Sequence, residues 1–230
     1  MAGRIILVRH GQTTSNVDRL LDTELPGAEL TDLGRQQATD VGTELAEYCG
    51  AGEGSLGRID TVYCGISLRT QQTAMLAARA VEAYAGLPER ALRVHPTVGI
   101  HELAAGDMEM RGDEEAHRAY AVAMAGFLRG DREARMAGET GEGLDDILGR
   151  YQPVLETIAE EHELGTQERD VIVVSHGAAI RTMATHATMI DPEFSFAGYL
   201  ANCRFIVLAP GGREFGQWEL VRWADLDRQI

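Results

Sequence analysis

Cysteine is scarce in this chain of 230 residues, which has only Cys49, Cys64 and Cys203. Their spacing matches neither a set of metal ligands nor a disulfide framework. Cys64 and Cys203 lie in apolar runs, where cysteine is usually a buried thiol rather than a nucleophile. No apolar run approaches the roughly 20 residues that a transmembrane helix needs, and no secretory signal precedes the first predicted strand. These absences predict a cytoplasmic protein that has no membrane partner.

Basic residues are also outnumbered, since 21 Lys and Arg residues stand against 36 Asp and Glu residues, for a formal net charge of −15. Nucleic acids and anionic membranes require a basic face, so neither is expected as a partner. A small phosphorylated molecule needs only a local cationic pocket and stays compatible with this charge. The 44% hydrophobic and 25% charged content is typical of one globular domain with a full core.

An apolar run near the start of the chain ends in residues suited to ligand binding. Residues 5–8 predict a buried strand, which stops at Arg9, His10 and Gly11. Open α/β sheets bind ligands at the carboxyl edge of their strands. Gly11 has no Cβ, so a ligand oxygen could approach its N–H closely. Asn16 follows where a helix could begin, and helix N-termini attract anions.

The same pattern recurs towards the other end of the chain. The apolar run 171–175 ends in His176 and Gly177, and residues 178–184 can form a helix. If the two strands are neighbours in a parallel sheet, their axes lie roughly 5 Å apart, and His10 and His176 then face one small volume. Each histidine taken alone is more simply explained as a structural residue at a strand end. The repetition favours a shared site.

Strands and helices alternate along the rest of the chain. Further strands are predicted at residues 59–64, 92–98, 203–208 and 215–221, and further helices at 31–48, 67–84, 111–129 and 143–164. This alternation favours a single α/β domain spanning residues 1–230, a three-layer sandwich whose mainly parallel central sheet is flanked by helices.

Six blocks of sequence follow one another along the chain: Leu7–Asn16, Leu30–Ala38, Ser67–Ala74, Glu102 with Gly106–Glu109, Gly138–Thr140 and Ser175–Gly177. Together they resemble the histidine phosphatase superfamily, in its phosphoglycerate-mutase-like branch. A lone Arg-His-Gly is a weak signal, but six blocks in the family's order form a specific pattern. Residues 64–66 and Thr140 depart from the residues that relatives often carry, which leaves substrate specificity open.

The resemblance implies roles for the residues in these blocks. His10 would be the nucleophile that becomes a phosphohistidine, and Glu102 the general acid that protonates the leaving group. Nearby Arg9 and Arg69 would keep the imidazole neutral and would bind phosphoryl oxygens through their planar forks. His176 would donate to a phosphoryl oxygen. Lesser substrate contacts would come from Gly11, Gln12, Asn16 and Gly177.

Ordinary interpretations remain open for several of these residues. Arg69 could be a solvated helix arginine, Glu102 an exposed carboxylate, and Asn16 a helix cap. Glu109 is a weaker alternative for the acid. His101 and Glu102 lack the second histidine that a zinc-binding helix requires, so neither a metal nor another cofactor is expected.

The resemblance implies a metal-independent phosphomonoesterase that acts on a small phosphorylated metabolite and releases inorganic phosphate. A phosphoglycerate mutase, which returns the phosphoryl group to its substrate, is the alternative. The chain lacks the longer insertions associated with the glycolytic mutases, which favours the phosphatase. A non-catalytic module that binds phosphorylated ligands is a second alternative, although no expected catalytic residue is missing.

A long segment, residues 103–140, would form an insertion that supplies much of the substrate cap. Its arginines either bind a second anionic group of the substrate or are solvated helix charges, and the second interpretation is the simpler one. The sequence allows a homodimer without requiring it.

Overall fold

The computed structural model describes residues 2–225 and is built around a six-stranded sheet with the strand order β3-β2-β4-β1-β5-β6. Strands β1 to β4 run parallel, whereas β5 pairs antiparallel with β1 and β6 antiparallel with β5. The predicted α/β class with a mainly parallel sheet is therefore confirmed. The strands are β1 (Arg4–Arg9), β2 (Ile59–Cys64), β3 (Val94–Pro96), β4 (Asp170–Ser175), β5 (Phe205–Ala209) and β6 (Glu219–Trp223).

Helices cover both faces of this sheet. Alternate residues of β1 and β4 face opposite sides of the sheet. Ile5 and Val171 pack into the apolar cluster on one side, and Ile6 and Ile172 pack into the cluster on the other. The central strands are thus buried on both faces, as parallel strands normally are. The helices are α1 (Thr14–Val17), α2 (Asp32–Tyr48), α3 (Leu68–Ala85), α4 (Glu114–Arg129), α5 (Leu144–Glu161), α6 (Gly177–Thr188) and α7 (Pro192–Ala197), with a 3₁₀ turn at Gly106–Met108.

Local capping sets several of the helix boundaries. The Thr31 hydroxyl accepts a hydrogen bond from the Gly34 N–H and caps α2, as predicted. Helix α4 begins at residue 114 rather than at 111, because the Asp113 side chain accepts from the Ala116 N–H and caps it there. Helix α7 was not predicted, although Asp191 caps it and Pro192 opens it.

Three predicted strands differ from those observed. Only Val94–Pro96 of the range 92–98 is a strand, because Pro96 has no N–H to donate and β3 lies at the edge of the sheet. The strands predicted at 203–208 and 215–221 lie further along the chain, at β5 and β6. None of the helices in residues 2–225 has the length and apolar character needed to cross a membrane.

A buried ionic cluster ties the sheet together at the edge opposite the two histidines. Asp170 is wholly buried at the start of β4 and accepts hydrogen bonds from Arg4 on β1, at 2.8 Å, and from Arg58 before β2, at 3.3 Å. Arg58 also donates to the Ala2 carbonyl at 2.9 Å. One carboxylate therefore links the starts of three neighbouring strands.

We expect Asp170→Ala to destabilise the protein by about 3–5 kcal/mol, because it leaves two mostly buried guanidinium groups without their counter-charge. Urea unfolding followed by circular dichroism measures this change. Arg118→Ala is the matched control, since Arg118 forms an exposed ion pair with Glu114 and exposed pairs contribute little. Equal midpoints for the two variants would contradict the structural role of Asp170.

Candidate active site

Two neighbouring strands bring the two histidines together. In the parallel pairing of β1 with β4, Arg9 lies opposite Ser175, so the next residues, His10 and His176, leave the sheet side by side. Their ring centroids are 5.2 Å apart, close to the strand spacing from which the shared volume was predicted. Both side chains are buried.

The His10 ring is oriented with one nitrogen free. Its Nδ1 lies 2.7 Å from the Gly11 carbonyl oxygen, and because a carbonyl only accepts, Nδ1 carries the proton. The neutral ring then holds its lone pair on Nε2. Burial, followed by the positive charges of Arg69 and Arg9, holds the pKa of His10 well below its usual value. His10 is therefore a neutral imidazole with an unshared electron pair near pH 7.

Two arginines flank this imidazole, Arg69 buried and Arg9 half-buried. Arg69, at the start of α3, donates from Nε to His176 Nδ1 at 3.3 Å and from Nη2 to the Asp22 carbonyl at 3.0 Å. Arg9 donates from Nη1 to the Tyr199 hydroxyl and to the Leu200 carbonyl, both at 2.7 Å. Its Nε, like Nη1 of Arg69, is buried without a hydrogen-bond partner within residues 2–225. Since buried donors are normally satisfied, the two nitrogens leave capacity for an anionic ligand.

His176 differs from His10 in its tautomer. Its Nδ1 accepts from Arg69, so the proton of the neutral ring lies on Nε2, 3.5 Å from the Ser67 hydroxyl. Burial and the charge of Arg69 lower the pKa of His176 well below its usual value. To donate from Nδ1 to a bound anion, His176 would have to take up a proton there and give up its contact with Arg69.

Glu102 lies at the N-terminus of α6 and is half-buried. Its Oε1 accepts from the N–H groups of Leu103 and Ala179 at 3.0 and 2.9 Å, and its Oε2 accepts from the Ala178 N–H at 3.2 Å. The ordinary interpretation as an exposed carboxylate does not hold. Oε2 has one hydrogen bond and keeps a lone pair that can carry a proton.

Glu109, the alternative acid, has a different position. Its carboxylate accepts from the backbone N–H groups of Thr23 and Glu24, at 2.8 and 3.1 Å, and from the Thr23 hydroxyl. Glu109 does not line the cavity that contains the histidines. It holds the loop after α1 in place, and the geometry therefore favours Glu102 as the acid.

An ion pair that the sequence interpretation missed supports the segment around Glu102. Glu142 pairs with Arg150 at 2.7 Å, and Arg150 donates to the carbonyl groups of Gly99, His101 and Glu102. Glu139 in the predicted family block is exposed. The sequence carried no local signal for this pair, because Glu142 precedes α5 and side chains that pair along a helix lie three or four positions apart.

The predicted substrate contact from Gly11 needs correction. Its N–H donates to the Thr73 hydroxyl at 3.0 Å and so is not available to a ligand. A Cβ at position 11 would stand 2.5 Å from the Gly34 carbonyl oxygen, closer than any real Cβ contact. Glycine is therefore required at this position for close packing between the first loop and α2.

The other predicted contacts lie in or beside the cavity. Gln12 and Asn16 line it. The Asn16 side chain also accepts from the Thr13 N–H and from Asn202, each at 3.1 Å, so the cap interpretation holds as well. Gly177 is the first residue of α6, and its N–H has no partner within residues 2–225; a Cβ there would approach Arg9 Nε to 3.2 Å.

The cavity has a volume of about 450 Å³ and is formed by strand ends and loops. Residues missed by the sequence interpretation also line it, namely Arg19, Asp22, Tyr199 and Asn202 from loops and Tyr120 from α4. Within residues 2–225, no group of three or more His, Cys, Asp or Glu side chains is placed to hold a metal ion.

The arginines of segment 103–140 are engaged elsewhere. Each is paired with a carboxylate, and none lines the cavity, so the interpretation as surface charges is favoured over a second anion site made by them. The pairs are Arg111 with Asp113 and Glu115, Arg118 with Glu114, Arg129 with Glu193, Arg132 with Asp145, and Arg135 with Asp146. His117 and Tyr120 of this segment do line the cavity.

Sequence comparison identifies the family. The family model described as histidine phosphatase superfamily (branch 1) matches residues 5–226. The chain belongs to the histidine phosphatase superfamily. The resemblance predicted from the six blocks is thus confirmed, and with it the class of enzyme.

Individual histidine phosphatases resemble the chain over most of its length. Phosphoglycerate mutase-like protein 4 of Arabidopsis thaliana is 31% identical over 80% of this chain and 70% of its own length. Metal-independent phosphoserine phosphatase of Arabidopsis thaliana is 28% identical over 96% of this chain and 81% of its own. The structure of a mycobacterial glucosyl-3-phosphoglycerate phosphatase complexed with VO3 has a TM-score of 0.69 at 25% identity, covering 96% of this chain and 98% of that one.

Proposed function

We propose that this histidine phosphatase is a metal-independent phosphomonoesterase, which transfers a phosphoryl group from a small metabolite to His10 and then to water. The observation that carries the proposal is the state of His10: neutral, with its Nδ1–H held by the Gly11 carbonyl, its Nε2 lone pair free, and the arginines Arg9 and Arg69 beside it. A nucleophile flanked by two cations suits an electrophile that carries negative charge.

In the first step, the Nε2 lone pair of His10 attacks phosphorus while the bond to the leaving oxygen breaks. Glu102 gives its proton to that oxygen, which would otherwise leave as a strongly basic alkoxide. Arg9 and Arg69 stabilise the charge on the phosphoryl oxygens. His176, once it has taken up a proton at Nδ1 and released Arg69, donates to one of them. The Gly177 N–H, at the positive end of α6, is a further donor.

In the second step, water attacks the phosphohistidine. Glu102, now ionised, takes a proton from the water, and the bond between phosphorus and Nε2 breaks to return the electron pair to His10. Inorganic phosphate leaves the site. A mutase would use the same first step but would return the phosphoryl group to the substrate, so the two functions differ in the acceptor of the second step.

Segment 103–140 serves in this proposal as the substrate cap of a single domain, since His117 and Tyr120 bring it to the cavity wall. Relatives named as phosphatases support a small phosphorylated metabolite as substrate. The cytoplasmic location and the homodimer stay predictions.

We expect phosphate release to survive EDTA, because the transfer requires no metal ion. Vanadate should inhibit, since it mimics the five-coordinate phosphorus held by two arginines and two histidines. A screen of phosphorylated metabolites, run with and without EDTA or vanadate, measures these two effects. The same screen is scored both for phosphate release and for relocation of the phosphoryl group. Loss of activity in EDTA with recovery on adding a divalent ion would contradict the scheme, and relocation without release would favour the mutase.

A further inference from the structure

Two buried hydroxyl groups lie beside His176, at the ring nitrogen that does not contact Arg69. Ser67 Oγ is 3.5 Å from His176 Nε2 and 2.9 Å from Thr70 Oγ1. Thr70 Oγ1 in turn lies 2.7 Å from the Gly65 carbonyl oxygen and 2.9 Å from the Ser67 carbonyl oxygen. Ser67, Thr70 and His176 are each at most 1% exposed. Because buried polar groups are normally hydrogen-bonded, these groups have to satisfy one another.

The Ser67 side chain does not serve its usual purpose at this position. Ser67 is the N-cap residue of α3, where a serine hydroxyl normally accepts a hydrogen bond from the first turn of the helix. Its side chain makes no such capping bond. Thr31 and Asp113, at the starts of α2 and α4, do cap their helices through their side chains. The Ser67 hydroxyl is instead directed towards Thr70 and His176.

Donors and acceptors give this group of hydrogen bonds a single direction. A carbonyl oxygen only accepts, so the one Thr70 hydroxyl proton goes to the Gly65 carbonyl, the nearer of its two carbonyl neighbours. The Ser67 hydroxyl then donates to Thr70 Oγ1 and keeps its lone pairs for His176. Arg69 donates to His176 Nδ1, which leaves the ring proton on Nε2, the nitrogen nearest Ser67. Every bond therefore runs from His176 to the Gly65 carbonyl.

Gly65 fixes the far end of this arrangement. Its N–H donates to the Val174 carbonyl at 3.0 Å, which ties it to β4, the strand that ends at His176. A Cβ at position 65 would stand 3.1 Å from Thr70 Oγ1 and 3.6 Å from His176 Nε2. The first of these contacts is tighter than most Cβ contacts in proteins, so a side chain there would press on the Thr70 hydroxyl.

The proposed reaction requires a second proton on His176. Burial and the positive charge of Arg69 hold the pKa of His176 well below its usual value. A bound phosphoryl group supplies a negative charge that favours the imidazolium. Its two N–H groups then both need acceptors, because a buried donor without a partner is costly. The charged and titratable groups around the ring are Arg69 of α3, His10 after β1, His101 beside Glu102, and Arg150 of α5, with Glu102 on the same cavity wall.

We propose that Ser67 is a positioning residue, whose hydroxyl accepts the Nε2 proton of His176 and thereby lets the ring take up a second proton at Nδ1 when an anion binds. That proton comes from solvent. Ser67 does not line the cavity, so it acts through His176 and not on the substrate. The inference rests on the proposed function, because it concerns a hydrogen-bond donor in that reaction.

NMR of isotopically labelled histidine rings tests the proposal with inorganic phosphate as the bound anion. In the unmodified enzyme at saturating phosphate, both ring nitrogens of His176 should be protonated near pH 7, and loss of these signals in His176→Gln assigns them. Ser67→Ala should lower the pKa of phosphate-bound His176 by about one unit, as expected when a hydrogen bond to a charged group is lost. A single protonated nitrogen in the unmodified enzyme, or an unchanged pKa in Ser67→Ala, would overturn the proposal.

Further variants distinguish positioning from general loss of packing. Thr70→Val keeps the shape of the side chain but removes the acceptor of the Ser67 proton, so it should lower the same pKa by a smaller amount. Thr70→Ser keeps the hydroxyl and should leave the pKa unchanged. Ser195→Ala is the matched control, because Ser195 is a buried serine of α7 whose hydroxyl donates to the Asp191 carbonyl at 3.3 Å. A shift in Ser195→Ala as large as that in Ser67→Ala would contradict the assignment.

Single-turnover phosphorylation rates report the same effect during the reaction. The ratio of the rate of the unmodified enzyme to that of Ser67→Ala should rise from near one at low pH to about ten at high pH. The titration of Glu102 is common to both proteins and cancels in this ratio. A ratio that does not change with pH would show that Ser67 does not act through the protonation of His176.

The NMR measurement also separates this inference from the proposed function, because phosphate binding requires no turnover. If the enzyme releases no phosphate from any ester but Ser67→Ala still lowers the pKa of phosphate-bound His176, the proposed function fails and the role of Ser67 stands. If phosphate is released while that pKa is the same in both proteins, the role of Ser67 fails alone.

Discussion

Replacing His10 with alanine is expected to lower kcat/KM by at least about 10⁴-fold for every phosphomonoester that the protein hydrolyses. A loss of this size is typical when a covalent nucleophile is removed. The expectation follows from the geometry of the ring. Its Nδ1 proton is fixed by the Gly11 carbonyl at 2.7 Å, so Nε2 supplies the only lone pair. Since His176 Nδ1 is occupied by Arg69, the second histidine is not placed to substitute for the first.

Rapid quenching of the unmodified enzyme with substrate should trap a phosphoryl group on His10 that is labile in acid. Circular dichroism should show that His10→Ala keeps its fold. His95→Ala is the matched control and should retain full activity. His95 is exposed on the edge strand β3, which β2 and β4 separate from β1. Turnover by His10→Ala at the normal rate would end the covalent mechanism.

Glu102→Gln is expected to slow phosphorylation of His10 by roughly 10²–10⁴-fold with alkyl phosphates, the usual range for a general acid. The loss should be much smaller with nitrophenyl phosphate, because a phenolate leaves without needing a proton. Single-turnover rates are required, since dephosphorylation also needs Glu102 as a base and would obscure the contrast at steady state.

The position of Glu102 adds a structural effect that the experiment must separate. Its carboxylate caps α6 through Ala178 and Ala179, and loss of a cap typically costs about 0.5–2 kcal/mol. Thermal unfolding of Glu102→Gln reports that cost independently of the leaving group. Arg69→Ala is the comparison, because it should impair both substrates similarly, as both present the same phosphoryl oxygens. Equal losses for the two leaving groups in Glu102→Gln would show that Glu102 is not the acid.

The phosphoryl side of the site could be predicted from sequence because each part has a local signal. A β-branched run followed by His-Gly marks the end of a buried strand, and adjacent parallel strands have a fixed spacing. His10 and His176 therefore come together without reference to any loop. Arg69 lies in the first turn of α3, and the start of this helix at Ser67 could also be predicted from the sequence.

The rest of the cavity had no such signal. Arg19, Tyr120 and Tyr199 come from loops and from the cap, whose paths depend on tertiary packing. The contact from His117 to the Arg19 carbonyl joins residues 98 positions apart. The antiparallel direction of β5 could not be predicted either, since an apolar run of five residues is compatible with a parallel or an antiparallel strand. Gly11 was assigned to the ligand because close packing against Gly34 produces the same preference for glycine.

The register of β1 against β4, in which Arg9 lies opposite Ser175, has a consequence for how this protein could change over evolution. The groups that handle phosphorus lie at the ends of β1 and β4 or in the first turns of α3 and α6, whereas the rest of the cavity wall comes from loop residues 19–23 and 199–202 and from residues 117–120 of α4. Substitutions in these three segments can alter which ester is accepted without moving the two histidines. A combinatorial library restricted to them is therefore a rational route to new substrate preferences on an unchanged reaction centre.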